Sequence, residues 1–113
     1  MGDVGEKLAM QFLKSKGFTI IRTNYRFGKN EIDIIGKDGE EMVFVEVKTR
    51  QTSEIGEPWR AVTKSKQRQI IKCANHYLIE NELDVESRFD IISIVLNSFG
   101  TRIEHIDGAF IAC

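Results

Sequence analysis

The feature that most constrains the fold is a pair of alternating segments joined by a strong turn signal. Residues 31–37 and 41–50 alternate between apolar and polar side chains, and Asp38-Gly39 lies between them. A period of two is typical of β-strands, and an Asp-Gly pair favours a two-residue hairpin turn. The sequence therefore predicts an antiparallel hairpin in the middle of the chain.

The register of this hairpin predicts which side chains share a face of the sheet. With Asp38-Gly39 as the turn, Asp33 lies opposite Phe44 and Glu31 lies opposite Glu46. Side chains alternate along a strand, and directly opposite residues share a face. A bulge in either strand would change this assignment. The predicted polar face carries Glu31, Asp33, Glu46 and Lys48, and the predicted apolar face carries Ile32, Ile34, Val43, Val45 and Val47.

The remaining segments predict two helices and three strands. Residues 3–16 have apolar side chains at helical spacing before Gly17, and a second apolar stripe runs from Thr63 or Ser65 to about Glu82. Residues 18–24, 89–96 and 102–106 have the composition of strands. The order of helix, three strands, helix and two strands predicts an α/β fold with one mixed sheet. We expect a single domain over residues 1–113, because the chain is too short to divide comfortably into two cores.

The predicted polar face indicates a metal site. Several carboxylates on one hairpin repel one another, and a divalent cation would compensate their charge. Mg²⁺ prefers one or two carboxylates with water and phosphate oxygens, so Asp33 and Glu46 are candidate ligands for Mg²⁺ or Mn²⁺, together with the Val47 carbonyl. Lys48 would orient a water or offset charge at a phosphodiester. The plain alternative is that Glu46 and Lys48 form an exposed ion pair without a function.

Positive charge is concentrated in two parts of a chain whose formal net charge is −1. Residues 7–29 carry six basic and no acidic residues, and residues 48–72 carry seven basic residues against Glu54 and Glu57. Segregation of this kind can give a nearly neutral protein one basic face for phosphates, although solvated charges explain it equally well. The candidate contacts to nucleic acid are Arg26, Arg50, Arg60, Lys64, Lys66 and Arg68.

The sequence also predicts a location. The apolar stretches fall far short of the roughly 20 residues that span a bilayer. The acidic N-terminus lacks the apolar segment of a secretory signal. We therefore expect a cytoplasmic protein that does not bind membranes.

The ordered motifs resemble a known superfamily. Asp33 followed by Glu46-Val47-Lys48 is similar to the D…E-x-K core of the restriction-endonuclease-like, PD-(D/E)XK, superfamily. Over nearly its whole length the chain more specifically resembles the YraN-type family, small bacterial proteins of that fold whose biological role is largely unassigned. One departure is Asn30, which stands where that family usually has glycine. The motifs that carry the likeness include Gly5-Glu6, Asn24-Tyr25-Arg26, Glu31–Ile35, Phe44–Arg50, Arg88-Phe89-Asp90 and His105-Ile106.

The resemblance implies a restriction-endonuclease-like mixed sheet of about five strands flanked by two main helices. It implies a metal-dependent endonuclease that hydrolyses DNA, with branched or damaged DNA, as for Holliday-junction resolvases, among its substrates. It also implies that Glu6 comes from the first helix to the metal site, although the helix macrodipole explains an acidic first turn equally well. The alternative is a nucleic-acid-binding module of this fold without catalysis. The sequence does not distinguish DNA from RNA as the nucleic acid, and it does not fix the oligomeric state, for which a homodimer is one option.

Overall fold

A computed structural model of the protein describes residues 2–52 and 62–112. Two helices and five strands follow one another in the predicted order. Several strands are longer than the sequence indicated, and β1 and β2 leave only Gly28-Lys29 between them. The elements are α1 (Gly2–Ser15), β1 (Thr19–Phe27), β2 (Asn30–Asp38), β3 (Glu41–Arg50), α2 (Lys64–Glu80), β4 (Ser87–Asn97) and β5 (Gly100–Phe110).

The strands form one mixed sheet in the order β1-β2-β3-β4-β5. All neighbours are antiparallel except β3 and β4, which are parallel. Parallel strands need a long crossover connection, and α2 lies in that connection. The Thr63 hydroxyl caps α2 by accepting a 3.1 Å hydrogen bond from the Lys66 N–H. The predicted α/β class, with five strands and two helices, is confirmed.

Each helix covers one face of the sheet. Ala9 and Leu13 of α1 pack in a fully buried cluster with strand residues that include Val43 and Val45. Cys73, Ala74 and Tyr77 of α2 pack in a second cluster with strand residues that include Phe44. Adjacent side chains of β3 thus point to opposite helices, as strand alternation requires. The face predicted to be polar is therefore a face covered by α2.

The hairpin prediction was wrong by one residue at its turn. The turn residues are Gly39 and Glu40, so Asp38 pairs with Glu41 and the pairing differs by two residues from the predicted one. Only Gly39 of these two has a positive φ, +64°, which fits a hairpin turn with glycine first. Arg88 of β4 bonds to both carboxylates of the closing pair, at 3.0 and 2.9 Å. A shift of two residues preserves the side-chain faces of the paired residues, and the ladder ends at Ile34 and Val45, next to Asp33 and Glu46.

The predicted position of Ile32 was also wrong. Ile32 packs in the α2 cluster with Tyr25, whereas Ile34 packs in the α1 cluster as predicted. Regular alternation would put both isoleucines on one face. The strands are irregular here, because Asn24, between the residues paired with Ile32 and Ile34, has a left-handed φ of +52°. Asp33, the first candidate ligand, lies between these two isoleucines and therefore within the irregular part of β2.

Neither helix among the described residues has the length and apolar character needed to cross a bilayer.

Candidate functional site

Asp33 lies just beyond the last regular pair of the β2–β3 ladder, which joins Ile34 and Val45. Its Oδ2 atom accepts a 2.8 Å hydrogen bond from the backbone N–H of Val47. The N–H and C=O of one strand residue point toward the same neighbouring strand. The Val47 carbonyl therefore points toward β2, on the side where the Asp33 carboxylate lies.

Glu46 is one of few charged residues buried in the described structure, with 5% of its surface exposed. Burial raises the pKa of Glu46 to about 9, and the hydrogen bond to Asp33 and the charge of Asp33 contribute to the rise. The charges of Lys66 and Lys48 oppose it. Without a cation Glu46 therefore keeps its proton at neutral pH, and the two carboxyl groups share a hydrogen bond.

Two lysines approach this carboxyl pair from different elements. Lys66, in the first turn of α2, places Nζ 3.8 Å from Oε2 of Glu46. Lys48 follows Glu46 by two residues on β3, is half-buried, and lowers the pKa of Glu46 by its charge. The sequence placed Lys66 only among the phosphate contacts, because nothing in the local pattern shows which strand the start of α2 packs against.

Glu6 lies in the first part of α1 and is half-buried. It lines a cavity of about 170 Å³ together with Met10 of α1 and Thr23 and Asn24 of β1. Asn24 lies between the residues of β1 that pair with the neighbours of Asp33, so this cavity borders the β2 side of the site. Within residues 2–52 and 62–112, no three His, Cys, Asp or Glu side chains are grouped so that they could hold one ion. Glu6 thus lies near the carboxyl pair without completing a three-acid cluster.

The other predicted basic residues occupy different places. Arg26 forms a 3.0 Å ion pair with Glu31, so part of its charge is already compensated. Arg50 is half-buried in the last position of β3. Lys64 and Arg68 are exposed and one helical turn apart on α2. Arg60 lies outside the described residues.

The donor set fits a hard divalent cation of the Mg²⁺ type. Mg²⁺ needs only one or two protein carboxylates and takes its remaining ligands from water and phosphate oxygens. The Asp33 and Glu46 carboxyls touch, and the Val47 carbonyl points to the same side. A cation between the two carboxyls would take over the role of the shared proton. The site therefore suits an ion that completes its coordination with solvent and substrate.

Asp90 is a buried acid that the sequence pattern did not distinguish from a ligand. It is next to Val45 in the β3–β4 register, whereas Glu46 is next to Ile91, so Asp90 faces α1 and Glu46 faces α2. Its carboxylate accepts hydrogen bonds from Arg88 at 3.0 and 3.3 Å, from the N–H of Gly108 at 3.0 Å, and is bonded to His105 at 2.7 Å. Asp90 is thus a satisfied structural acid on the opposite face.

The fold and the site define a class: an α/β protein with a mixed sheet between two helices, in which a buried glutamate and a half-buried aspartate lie together beside two lysines. The family follows from sequence comparison. The profile of the Uncharacterised protein family UPF0102 matches residues 5–94, so the chain belongs to this family, which is the YraN-type family of the sequence prediction.

Relatives from several bacteria share the sequence over nearly its full length. The chain is 49% identical over 110 residues to a UPF0102 protein of Christiangramia forsetii, with 97% of this chain and 92% of the relative covered. It is 43% identical over 110 residues to one of Flavobacterium psychrophilum, with the same coverage. It is 47% identical over 112 residues to one of Geobacter sulfurreducens, with 97% and 88% covered. The family resemblance predicted from the motifs is confirmed.

Proposed function

We propose that this protein is a Mg²⁺- or Mn²⁺-dependent endonuclease that hydrolyses phosphodiester bonds of DNA, with branched or damaged DNA among its substrates. The observation that carries the proposal is the contact between the carboxyl groups of Asp33 and Glu46, beside Lys66 and Lys48. Placing the buried Glu46 carboxyl in contact with the half-buried Asp33 carboxyl costs stability unless the pair binds a cation or a proton. A bound divalent cation would offset the repulsion between the two carboxylates, which supports a metal-binding role for the pair.

The residues divide the chemical work among them. A divalent cation held by Asp33, Glu46 and the Val47 carbonyl would polarise the scissile phosphate and lower the pKa of a bound water. Lys48, on the same strand and face as Glu46, adds positive charge where the transferred phosphate becomes more negative. Lys66 adds positive charge 3.8 Å from Glu46 and links the start of α2 to β3.

The start of α2 also supports a path for the nucleic-acid backbone. Lys64 and Arg68 are exposed next to the turn that holds Lys66, and the first turn of α2 contains no acidic residue. A helix N-terminus favours anions, so cations placed there gain their stabilisation from a bound phosphate rather than from the helix. We propose that Lys64, Arg68 and Arg50 contact phosphates on either side of the cleaved bond. An enzyme acting on chromosomal DNA would work in the cytoplasm.

A cleavage assay tests this function directly. Duplex, single-stranded and four-way branched DNA are incubated with the wild-type protein in Mg²⁺, in Mn²⁺ and in EDTA. We expect metal-dependent cleavage of at least one substrate, and its loss in Glu46→Gln and in Lys48→Ala. The matched control is Glu86→Gln, which changes an exposed acid before β4. Cleavage that survives both active-site variants, with folding confirmed by circular dichroism, would refute the assigned roles.

A second candidate function is nucleic-acid binding without cleavage. It is favoured by one observation: among the described residues, no three His, Cys, Asp or Glu side chains are grouped so that they could hold one ion. This candidate predicts salt-sensitive DNA binding, with a slope in log-log plots of roughly −0.9 per phosphate neutralised. It also predicts that no DNA substrate is cut in Mg²⁺ or Mn²⁺.

A further inference from the structure

The β4–β5 turn presents an aromatic side chain to solvent. Phe99 is 98% exposed, the largest exposed fraction among the large apolar residues of the described structure. Asn97 and Gly100 form the closing pair of the hairpin, so Phe99 lies at its tip. The tip is held by a 2.9 Å hydrogen bond from the Phe99 N–H to Oδ1 of Asn97. The exposed ring is therefore carried on a defined turn.

The same asparagine fixes the hairpin to the strand that carries the candidate site. Nδ2 of Asn97 donates a 2.8 Å hydrogen bond to the backbone carbonyl of Gln51, the residue after β3. Glu46 is paired with Ile91 across the parallel strands, six residues before Asn97. At about 3.3 Å per residue, Asn97 lies roughly 20 Å from Glu46 along the sheet, and the hairpin tip lies just beyond it. This corresponds to about six nucleotides of a strand at 3.4 Å each.

A cavity of about 290 Å³ lies beside the ring. Its lining residues include the apolar Val95 and Phe99, the hydroxyl-bearing Thr101 and the cationic Arg102. The Arg102 side chain is 69% exposed, and its contact with Glu104 is a loose 3.4 Å pair at the surface. An aromatic face, a hydroxyl and a cation in one place match a nucleobase and its phosphate.

We propose that Phe99 stacks on an unpaired nucleobase flanking the cleavage site, with Arg102 on the adjoining phosphate. The inference rests on the proposed action on nucleic acid and extends it to the shape of the substrate. A base in a duplex has both faces covered by its neighbours, so an exposed ring gains contact only with a base that is unpaired or at an end. The preferred substrate is then a duplex joined to a single-stranded or branched segment.

The composition of the tip favours a base over a protein or lipid partner. Phe99 is the only exposed large apolar side chain of the β4–β5 hairpin in the described structure, and charged or polar groups surround it. Specific protein interfaces bury about 800 Å² on each partner, far more than one ring supplies. A single base needs only one ring face.

Equilibrium binding in EDTA tests the inference without cleavage. One DNA is a covalently closed circular duplex, which has no ends, and the other is a linear duplex with a single-stranded extension that carries 2-aminopurine at successive positions. We expect Phe99→Ala to weaken binding of the extended DNA by at least about fivefold and to abolish the stacking quench of 2-aminopurine. Affinity for the circular duplex should not change. Phe99→Trp should keep both signals, and Ile79→Ala, which removes a 78% exposed side chain from the last turn of α2, should change neither.

The outcomes separate this inference from the function on which it rests. If the wild-type protein binds both DNAs and Phe99→Ala binds the extended DNA as tightly, the stacking role is refuted and the endonuclease proposal stands. If the wild-type protein binds neither DNA in EDTA and cuts neither in Mg²⁺ or Mn²⁺, both proposals are refuted. If it cuts DNA without binding it in EDTA, the same comparison of affinities in Ca²⁺ decides the stacking role. A loss of vesicle binding or of self-association in Phe99→Ala, with DNA affinity unchanged, also refutes the stacking role.

Discussion

Nζ of Lys66 lies 3.8 Å from Oε2 of Glu46, although one residue belongs to α2 and the other to β3. This contact crosses from the first turn of the crossover helix to the buried face of the sheet. It joins the part of the chain that carries exposed cations to the part that carries the carboxyl pair. A phosphate bound at the start of α2 is thereby placed next to the candidate metal ligands.

Removing the charge of Glu46 should stabilise the metal-free protein. The pKa of Glu46 rises from 4.5 to about 9 on folding. Between these pH values the folded protein therefore binds more protons than the unfolded protein does. This group therefore lowers the stability of the fold as pH rises from about 5 to 9. Glu46→Gln lacks this loss, and we expect its Tm in EDTA to exceed that of the wild type by a margin that grows over this range. At pH 8 the gain should be at least about 1 kcal/mol, or roughly 4 °C.

Thermal unfolding followed by circular dichroism at pH 5, 6.5, 8 and 9 measures this difference. Glu86→Gln is the control, because it makes the same chemical change at an exposed position. A constant difference between Glu46→Gln and the wild type across all four pH values would show that Glu46 ionises normally in the folded protein.

Addition of Mn²⁺ or Mg²⁺ should reverse the order of stability. A cation between Asp33 and Glu46 needs both carboxylates ionised, so binding displaces the proton of Glu46. We expect the ion to raise the Tm of the wild type and to leave Glu46→Gln and Asp33→Asn nearly unchanged. Affinity should increase as pH approaches the pKa of about 9.

Calorimetric titration in two buffers with different ionisation enthalpies measures both the affinity and the proton release. About one proton released per ion at pH 7 is the expected result. Tight binding without proton release, or equal binding to Asp33→Asn, would place the ion elsewhere.

Much of the fold follows from local patterns in the sequence. The apolar period of α2 and the alternation in β3 predict both elements, and β3 has the predicted bounds of Glu41–Arg50. The hairpin turn was misplaced because its position depends on Arg88, which bonds to Asp38 and Glu41 from a strand far along the chain. No pattern within the hairpin contains that information.

The candidate site was predictable only in part, because strand alternation is a local pattern and the packing of a helix on the sheet is not. Strand alternation predicted Asp33 and Glu46 on one face, and the structure brings their carboxyl groups together, although the regular β2–β3 ladder ends at Ile34 and Val45. The left-handed Asn24 and the packing of Ile32 toward α2 were not predictable from the strand pattern. The proximity of Lys66 depends on the packing of α2 on the sheet, which is a tertiary property.

Gly5 should be required for the close approach of α1 to β3. A Cβ atom at Gly5 would lie 2.0 Å from Oγ1 of Thr49, the residue after Lys48. We expect Gly5→Ala to destabilise the protein by about 1–3 kcal/mol, as overpacked cores usually do, despite the better helix propensity of alanine. The helix would move away from β3 and carry Glu6 with it.

Urea unfolding of Gly5→Ala measures this cost, and the double variant Gly5→Ala/Thr49→Ala provides the control. Truncation of Thr49 removes the nearest atom and leaves only its Cβ at 3.2 Å. We therefore expect Gly5→Ala to cost less stability when it is introduced into Thr49→Ala than when it is introduced into the wild type. Additive effects of the two substitutions would show that the contact does not limit the packing.

Asp90 should contribute to stability at neutral pH and lose that contribution in acid. Burial opposes its ionisation, but hydrogen bonds from His105 and Arg88 outweigh burial and hold the pKa of Asp90 below its ordinary value. A depressed pKa in the folded state stabilises the fold above the unfolded value of about 3.9, and this stabilisation is lost as pH falls below it. Asp90→Asn removes the charge that Arg88 faces in a mostly buried position, so we expect a loss of about 3–5 kcal/mol at pH 7.

The pH dependence distinguishes this role from a simple packing defect. Between pH 5 and pH 2.5, the wild type should lose more stability than Asp90→Asn, because only the wild type must protonate a carboxylate that is bonded in the folded state. Asp84→Asn, at an exposed position before β4, should follow the wild type. If Asp90→Asn and the wild type lose stability in parallel, the pKa of Asp90 is the same in the folded and unfolded states. Its hydrogen bonds to Arg88, His105 and Gly108 would then contribute through geometry rather than through charge.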